Sequence, residues 1–312
     1  MEKMSSSPFV TVLILSYNGK QLLDDSISSY LANDYYNFEV VVIDNGSTDG
    51  TEEYVANKWP SVKLLRTEVN LKYSGGFNFG LKYAFTEKKS DYVLITNNDV
   101  KVDDKLISST VATALNNTKV GFVVGKVYYY EKPNTFQTCG RKFDERNLRG
   151  LDRGFQEIDN GQFDDEVEIP WCDDVFWLVS HELYKTTHGY NTEFAFQGED
   201  FEWQLRAKKA GFKIYFSPKA KLWHKESMSI GKKSAFKSYY DFRNPLIVHM
   251  MHRNYNNYKY YFKMKRKNLL IQTIKNIMRF KFEYVIKSWS GFLSALKWGV
   301  KNKRITITQI LK

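Results

Sequence analysis

Phe38-Glu39-Val40-Val41-Val42-Ile43-Asp44-Asn45-Gly46-Ser47-Thr48-Asp49-Gly50-Thr51 changes character halfway along its length. Its first six residues form a mostly branched, apolar run, and the rest is polar and turn-forming. Such a run reads as a buried strand. Thr48 or Asp49 is expected to cap a following helix, with Glu52 and Glu53 favourable in its first turn.

The same alternation extends to both sides. Phe9 to Leu15 reads as a buried strand that ends at Ser16-Tyr17-Asn18-Gly19, and a helix follows from about Gln21 to Ala32. Val62 to Arg66 is a third strand, followed by a glycine-rich loop and a helix near Phe77 to Thr86. Tyr92 to Thr96 is a fourth, ending at Asn97-Asn98-Asp99. Strands alternating with helices imply right-handed crossovers and an α/β fold with a mostly parallel sheet. Ligands of such sheets bind beyond the carboxyl ends of the strands. Ser16 to Asn18, Asp44 to Ser47, Asn70 to Asn78 and Asn97 to Asp99 all fall there, so a nucleotide crevice is expected. The chain has neither Gly-x-Gly-x-x-Gly after the first strand nor Gly-x-x-x-x-Gly-Lys-Ser/Thr, which disfavours a dinucleotide fold and a P-loop ATPase.

Downstream, Phe196-Gln197-Gly198-Glu199-Asp200-Phe201-Glu202-Trp203-Gln204-Leu205-Arg206 places two carboxylates at the start of a helical pattern. Gly198 permits a tight approach into the helix, and acids suit its first turn. Glu199 and Asp200 could simply cap the helix, or could present a carboxylate to a cleft as a proton acceptor. Trp171-Cys172-Asp173-Asp174 precedes an apolar run, Val175 to Val179. The acidic stretch Arg141 to Glu168 reads as an insertion with loops.

With 312 residues, 43% of them hydrophobic, the chain can bury a substantial core. Cys139 and Cys172 are too few for a disulfide framework and suit a reducing compartment. The first seven residues hold no apolar segment, and no run approaches the roughly 18 apolar residues of a spanning helix. The expectation is a cytoplasmic protein. The net charge of +11 is uneven: from Pro245 onward fifteen Lys or Arg stand against Glu283 alone, a net of +14, which leaves −3 for residues 1–244. The basicity therefore belongs to the tail.

In order along the chain, Val12 to Asn18, Ile43 to Thr51, Asn97-Asn98-Asp99 and Gly198-Glu199-Asp200 resemble family 2 glycosyltransferases of the GT-A fold, in the branch that is similar to bacterial rhamnosyltransferases and galactofuranosyltransferases. The branch's loop pattern Asn-x-Gly-x-x-Gly-Gly-x-Asn-x-Gly reappears from Asn70 to Gly80, with Lys72 in place of the first glycine. The resemblance covers about residues 8–245. It implies a catalytic domain over 1–245, with a nucleotide-binding half (about 8–125) and an acceptor-side half (about 126–245), and a tail over 246–312.

The resemblance assigns donor nucleotide contacts to Ser16, Tyr17, Asn18, Asp44, Asn45, Ser47, Asn70, Gly76, Asn78 and Asn98. In it Asp44 accepts the base N–H of uracil or thymine, and Tyr17 could stack on the base; Asp also orders its own turn readily. Asn97-Asn98-Asp99 stands where the family has Asp-x-Asp, so Asp99, with Asn97 and His224, is implied to hold a divalent metal, Mg2+ or Mn2+, against the diphosphate. Asp200 is implied as the base of an inverting displacement, with Glu199 orienting the acceptor or supporting the base. Trp171, Asp173 and Asp174 are implied near the donor sugar or acceptor, and Arg243 near the diphosphate or tying the tail to the core.

The tail continues as a helical pattern in which Leu270, Ile274, Ile277, Met278, Val285, Trp289, Phe292, Leu293 and Leu296 oppose Lys275, Arg279, Lys281, Lys287 and Lys297. Such faces lie on anionic membranes or pack as a helical hairpin or a homodimer. Together these features imply a nucleotide-sugar donor, a glycan or lipid-linked acceptor for cell-surface polysaccharide, and a place at the inner face of the membrane, with no nucleic-acid partner. A sugar-nucleotide pyrophosphorylase would carry a Gly-rich basic loop after its first strand, which Ser16 to Gly19 is not. An inactive relative acting as a membrane-bound assembly partner is the non-enzymatic alternative.

Overall fold

The computed structural model describes residues 7–144, 149–225, 234–252 and 255–304. In chain order the first half holds β1 (Val10–Ser16), α1 (Leu23–Leu31), β2 (Phe38–Asp44), α2 (Thr51–Lys58), β3 (Lys63–Arg66), α3 (Lys72–Lys82), β4 (Tyr92–Asn97), β5 (Val100–Val102) and α4 (Leu106–Asn116). Next come β6 (Val120–Tyr129), β7 (Lys132–Thr138), β8 (Arg141–Asp144), β9 (Arg149–Asp152), β10 (Val167–Ile169), β11 (Phe176–Ser180), α5 (His181–Thr187), α6 (Glu199–Lys209) and β12 (Lys213–His224). Three helices close the described chain: α7 (Ala235–His252), α8 (Tyr255–Met278) and α9 (Phe282–Lys301).

One large sheet runs β10-β12-β6-β11-β4-β1-β2-β3, with β5 on β12 and β7 on β6. β3, β2, β1 and β4 are mutually parallel, as the buried runs predict. β11 then enters antiparallel between β4 and β6. That insertion matters for the site, because the start of an antiparallel strand lies at the same rim as the end of its parallel neighbour. Asn97 N–H donates to the Val175 carbonyl at 3.3 Å, so Asp173 and Asp174 stand beside Asn97 and Asn98. Likewise His224 of β12 pairs with Val100 of β5, which brings Asp99 level with His224.

Two apolar clusters fill the faces of the sheet, and a third lies among Phe194, α7, α8 and α9. The α2 helix starts at Thr51 behind Gly50, one residue past the predicted caps, while Asp49 still accepts from the Thr51 N–H at 3.2 Å. The expected glycine-rich loop is instead mostly helix. α3 begins at Lys72, whose φ of +63° is the left-handed conformation a glycine would supply. The expected insertion contains the β8–β9 hairpin. α7 runs unbroken through Pro245, where the catalytic domain was expected to end.

Candidate active site

The turns after β1 and β2 are stitched into one rim. Asn18 N–H donates to Ser47 Oγ at 2.9 Å, and Thr48 N–H donates back to Asn18 Oδ1 at 2.8 Å. Asn98 Nδ2 donates to the buried Ser16 Oγ at 3.2 Å, which ties the end of β4 to the same rim. Asp44 is fully buried; its carboxylate takes the Ser47 N–H at 2.9 Å and Arg66 Nη1 at 2.5 Å. It therefore orders its own turn beneath Arg66, the alternative its sequence also allowed. Tyr17 stands 47% exposed at this rim, an aromatic face open to a planar ligand.

Several of the expected nucleotide contacts also bond neighbouring residues. The Asn45 amide is occupied by Asn70, the Lys72 carbonyl and the Leu71 N–H, and Asn70 Oδ1 also accepts from Lys72 N–H. Asn78 is clamped at both ends by the Tyr190 backbone, at 2.8 and 2.9 Å. A Cβ on Gly76 would lie 2.6 Å from Leu15 Cδ1, and one on Gly80 2.3 Å from Ile43 Cδ1. Four residues apart, these two glycines let α3 lie close against β1 and β2, so in this structure the glycine pattern is a helix-on-sheet seam.

Asp99 and His224 face each other, with Nε2 and Oδ1 3.1 Å apart. His224 Nδ1 meets Gln137 Oε1 at 2.8 Å, a partner the sequence reading missed because it lies 87 residues away. Burial raises the Asp99 carboxyl, but the hydrogen bond and charge of His224 outweigh it and hold Asp99 below its ordinary value. A carboxylate beside an imidazole is a donor set that a divalent cation accepts. No cluster of three or more His, Cys, Asp or Glu suited to a metal occurs among the described residues. Asn97 Oδ1 lies 3.5 Å from the Tyr73 hydroxyl.

Four carboxylates gather where β11 begins and α6 opens. Tyr73, which touches Asn97, also donates to the Asp174 carbonyl at 3.2 Å, and Tyr190 donates to Asp174 Oδ2 at 3.3 Å. Asp173 accepts from Thr138 at 2.9 Å and from Arg141 at 2.7 Å. Glu199 and Asp200 open α6 after Gly198, whose φ of +87° turns the chain sharply into the helix. Burial pushes the Asp200 carboxyl up to about 6; Asp173 adds to the rise and Arg141 opposes it. Burial, then the charges of Asp174 and Asp200, pushes Glu199 well above the carboxylate range, and its Oε2 has no hydrogen-bond partner. Asp174 is raised likewise, by burial and by Asp200. Close carboxylates resist ionising together, and that mutual repulsion adds to burial in raising Asp174, Glu199 and Asp200.

The loop before α6 is fastened from α7. Asn244 Nδ2 donates to the Phe196 and Gln197 carbonyls at 2.7 and 2.6 Å. Arg243 binds Glu193 through its side chain and carbonyl, which makes it a tie between tail and core. Trp171 is buried against Phe201, ring centroids 4.5 Å apart, with the Lys208 ammonium over its ring, so no face of it is open to a sugar. Glu226 and Ser227, which follow His224, lie outside the described residues.

A sequence model of glycosyl transferase family 2 matches residues 11–186. The putative glycosyltransferase EpsE of Bacillus subtilis is 25% identical over 254 residues, 79% of this chain and 82% of its own length. The poly-beta-1,6-N-acetyl-D-glucosamine synthase of Staphylococcus epidermidis is 24% identical over 71% of this chain, which spans only 51% of that protein. The N-acetylglucosaminyl-diphospho-decaprenol L-rhamnosyltransferase of Mycobacterium tuberculosis is 23% identical over 63% of this chain and 69% of its own. Among solved structures, GalNAc-T7 with UDP, GalNAc and Mn2+ superposes with a TM-score of 0.67 at 15% identity, covering 96% of this chain and 58% of that one. The mannosyltransferase PcManGT from Pyrobaculum calidifontis, in complex with GDP-Man and Mn2+, gives 0.55 at 14% identity, covering 96% and 89%. These likenesses place the fold among GT-A glycosyltransferases.

Proposed function

The chain belongs to glycosyl transferase family 2, and on that footing we propose that it moves a sugar from a UDP- or dTDP-linked donor, with inversion, to a hydroxyl of a glycan or lipid-linked acceptor in cell-surface polysaccharide synthesis. The observation that carries this reading is that an Asp99–His224 pair and a carboxylate cluster containing Asp200 both lie at the strand ends of the sheet. Relatives named for polysaccharide synthesis and rhamnosyl transfer support the product class.

In this reading Tyr17 stacks on the base, and Asp44 takes the base N–H once the half-exposed Arg66 side chain swings aside. Asp99 and His224 would hold a divalent cation, which would supply positive charge beside the leaving diphosphate. Asp200 accepts the acceptor proton as its oxygen attacks the anomeric carbon from the face opposite the diphosphate. The orphaned oxygen of Glu199 binds an acceptor hydroxyl, and Asp173, fixed by Arg141 and Thr138, lines the sugar.

A panel of nucleotide sugars, incubated with the purified protein and Mn2+, tests the reading by release of the nucleoside diphosphate. Release from a uridine or thymidine donor alone is expected. Thermal stabilisation by none of these nucleotides, and release from none, would overturn it.

A further inference from the structure

The apolar stripe of the tail does not stay on one side of the structure. Phe292 and Leu296 are buried beneath α7, while Ile274, Ile277, Met278, Phe280, Phe282 and Ile286 are exposed around the turn that joins α8 to α9. Four exposed cations, Lys275, Arg279, Lys281 and Lys287, alternate with them. Over residues 255–304 thirteen Lys or Arg face one acid, Glu283.

The turn itself shows that the exposure is built in. Phe280 has a φ of +56° and is 82% exposed. Its N–H donates to the Ile277 carbonyl at 2.9 Å and Lys281 N–H to the Asn276 carbonyl at 2.8 Å, the closing bonds of a helix end that glycine normally occupies. A bulky aromatic is disfavoured in that conformation and in water. Here both penalties fall on one residue, and its neighbour Phe282, rings 6.4 Å apart, is 55% exposed.

We infer that the α8–α9 turn is an interfacial anchor that seats Phe280 and Phe282 at the acyl boundary of an anionic lipid surface, with Lys275, Arg279, Lys281 and Lys287 on its headgroups. Charge selects this occupant. A second copy would bring the same cations against themselves, whereas each Lys or Arg near an anionic leaflet adds attraction. No described helix is long and apolar enough to cross a membrane, which fits a segment lying in the interface. The inference rests on these helices and not on the transfer reaction.

Cosedimentation of the full chain with phosphatidylglycerol-containing and phosphatidylcholine-only vesicles tests it. Binding to the anionic vesicles alone is expected, weakening at high salt. Phe280→Gly suits the left-handed turn, so it should fold at least as well as the parent and yet lose binding at least tenfold; Phe282→Ser should act in the same direction. Folded parent protein that ignores anionic vesicles overturns the inference. So does a dimer, seen by light scattering, that Phe280→Gly dissociates, because the face would then belong to a second copy.

Discussion

Arg141 grips one oxygen of Asp173 with two nitrogens, Nε at 2.7 Å and Nη2 at 2.6 Å, and so sets a cation at the edge of the carboxylate cluster. Asp200 is raised by burial and by Asp173 and lowered by Arg141. The working base must be ionised, so turnover should fall as pH drops through about 6, the value for Asp200. Removing the cation favours the protonated form and moves this acid limb to higher pH. Arg141→Gln is expected to shift the limb upward in kcat/KM profiles, with donor Kd little changed. An unshifted limb would remove Arg141 from the electrostatics of the site.

Asp200→Asn keeps the shape of the side chain and removes the proton acceptor. Transfer should fall roughly 100- to 10,000-fold, the usual worth of a positioned base, while nucleotide binding by calorimetry stays within about twofold. Wild-type turnover in the purified variant would show that the base lies elsewhere.

Gln137 bonds the ring nitrogen of His224 that faces away from Asp99. Partners of this kind orient a ligating imidazole, and their loss typically weakens metal affinity about 10- to 100-fold. Gln137→Ala should therefore raise the Mn2+ concentration needed for half-maximal activity by about that factor, and excess chelator should abolish the parent's activity. Activity that survives exhaustive chelation would remove the metal from the reaction.

Asn244→Ala strips two hydrogen bonds from the loop ahead of Glu199. Unpaired carbonyls there should cost about 1–3 kcal/mol. Both the melting temperature and kcat are expected to drop, while donor affinity, which the proposed function assigns to other residues, holds. Calorimetric melts together with saturation kinetics check this.

The parallel strands are legible in the sequence because Val12 to Ile14 and Val40 to Ile43 are buried on both faces and so read as unbroken apolar runs. Asp99, His224 and Asp200 are legible because short motifs mark them. Arg141, Gln137 and Tyr73 are not: each reaches the site only through pairing of strands and helices distant in sequence, and nothing local marks them. The Asn70–Gly80 pattern misleads for a physical reason. Glycine serves close helix packing as readily as it serves a loop, and only the Leu15 and Ile43 contacts distinguish the two. The tail's periodicity shows an amphipathic helix but not that its stripe divides between α7 and solvent.

The clasp made by Asn244 also has a consequence in time. The strands that would carry the nucleotide are complete within the first hundred residues, but the segment holding Asp200 is fastened by a side chain some forty-four positions later. During synthesis the loop ahead of Asp200 therefore stays without this fastening until residue 244 has been added. A product clipped before that point is expected to hold Asp200 on a looser loop than the full chain does.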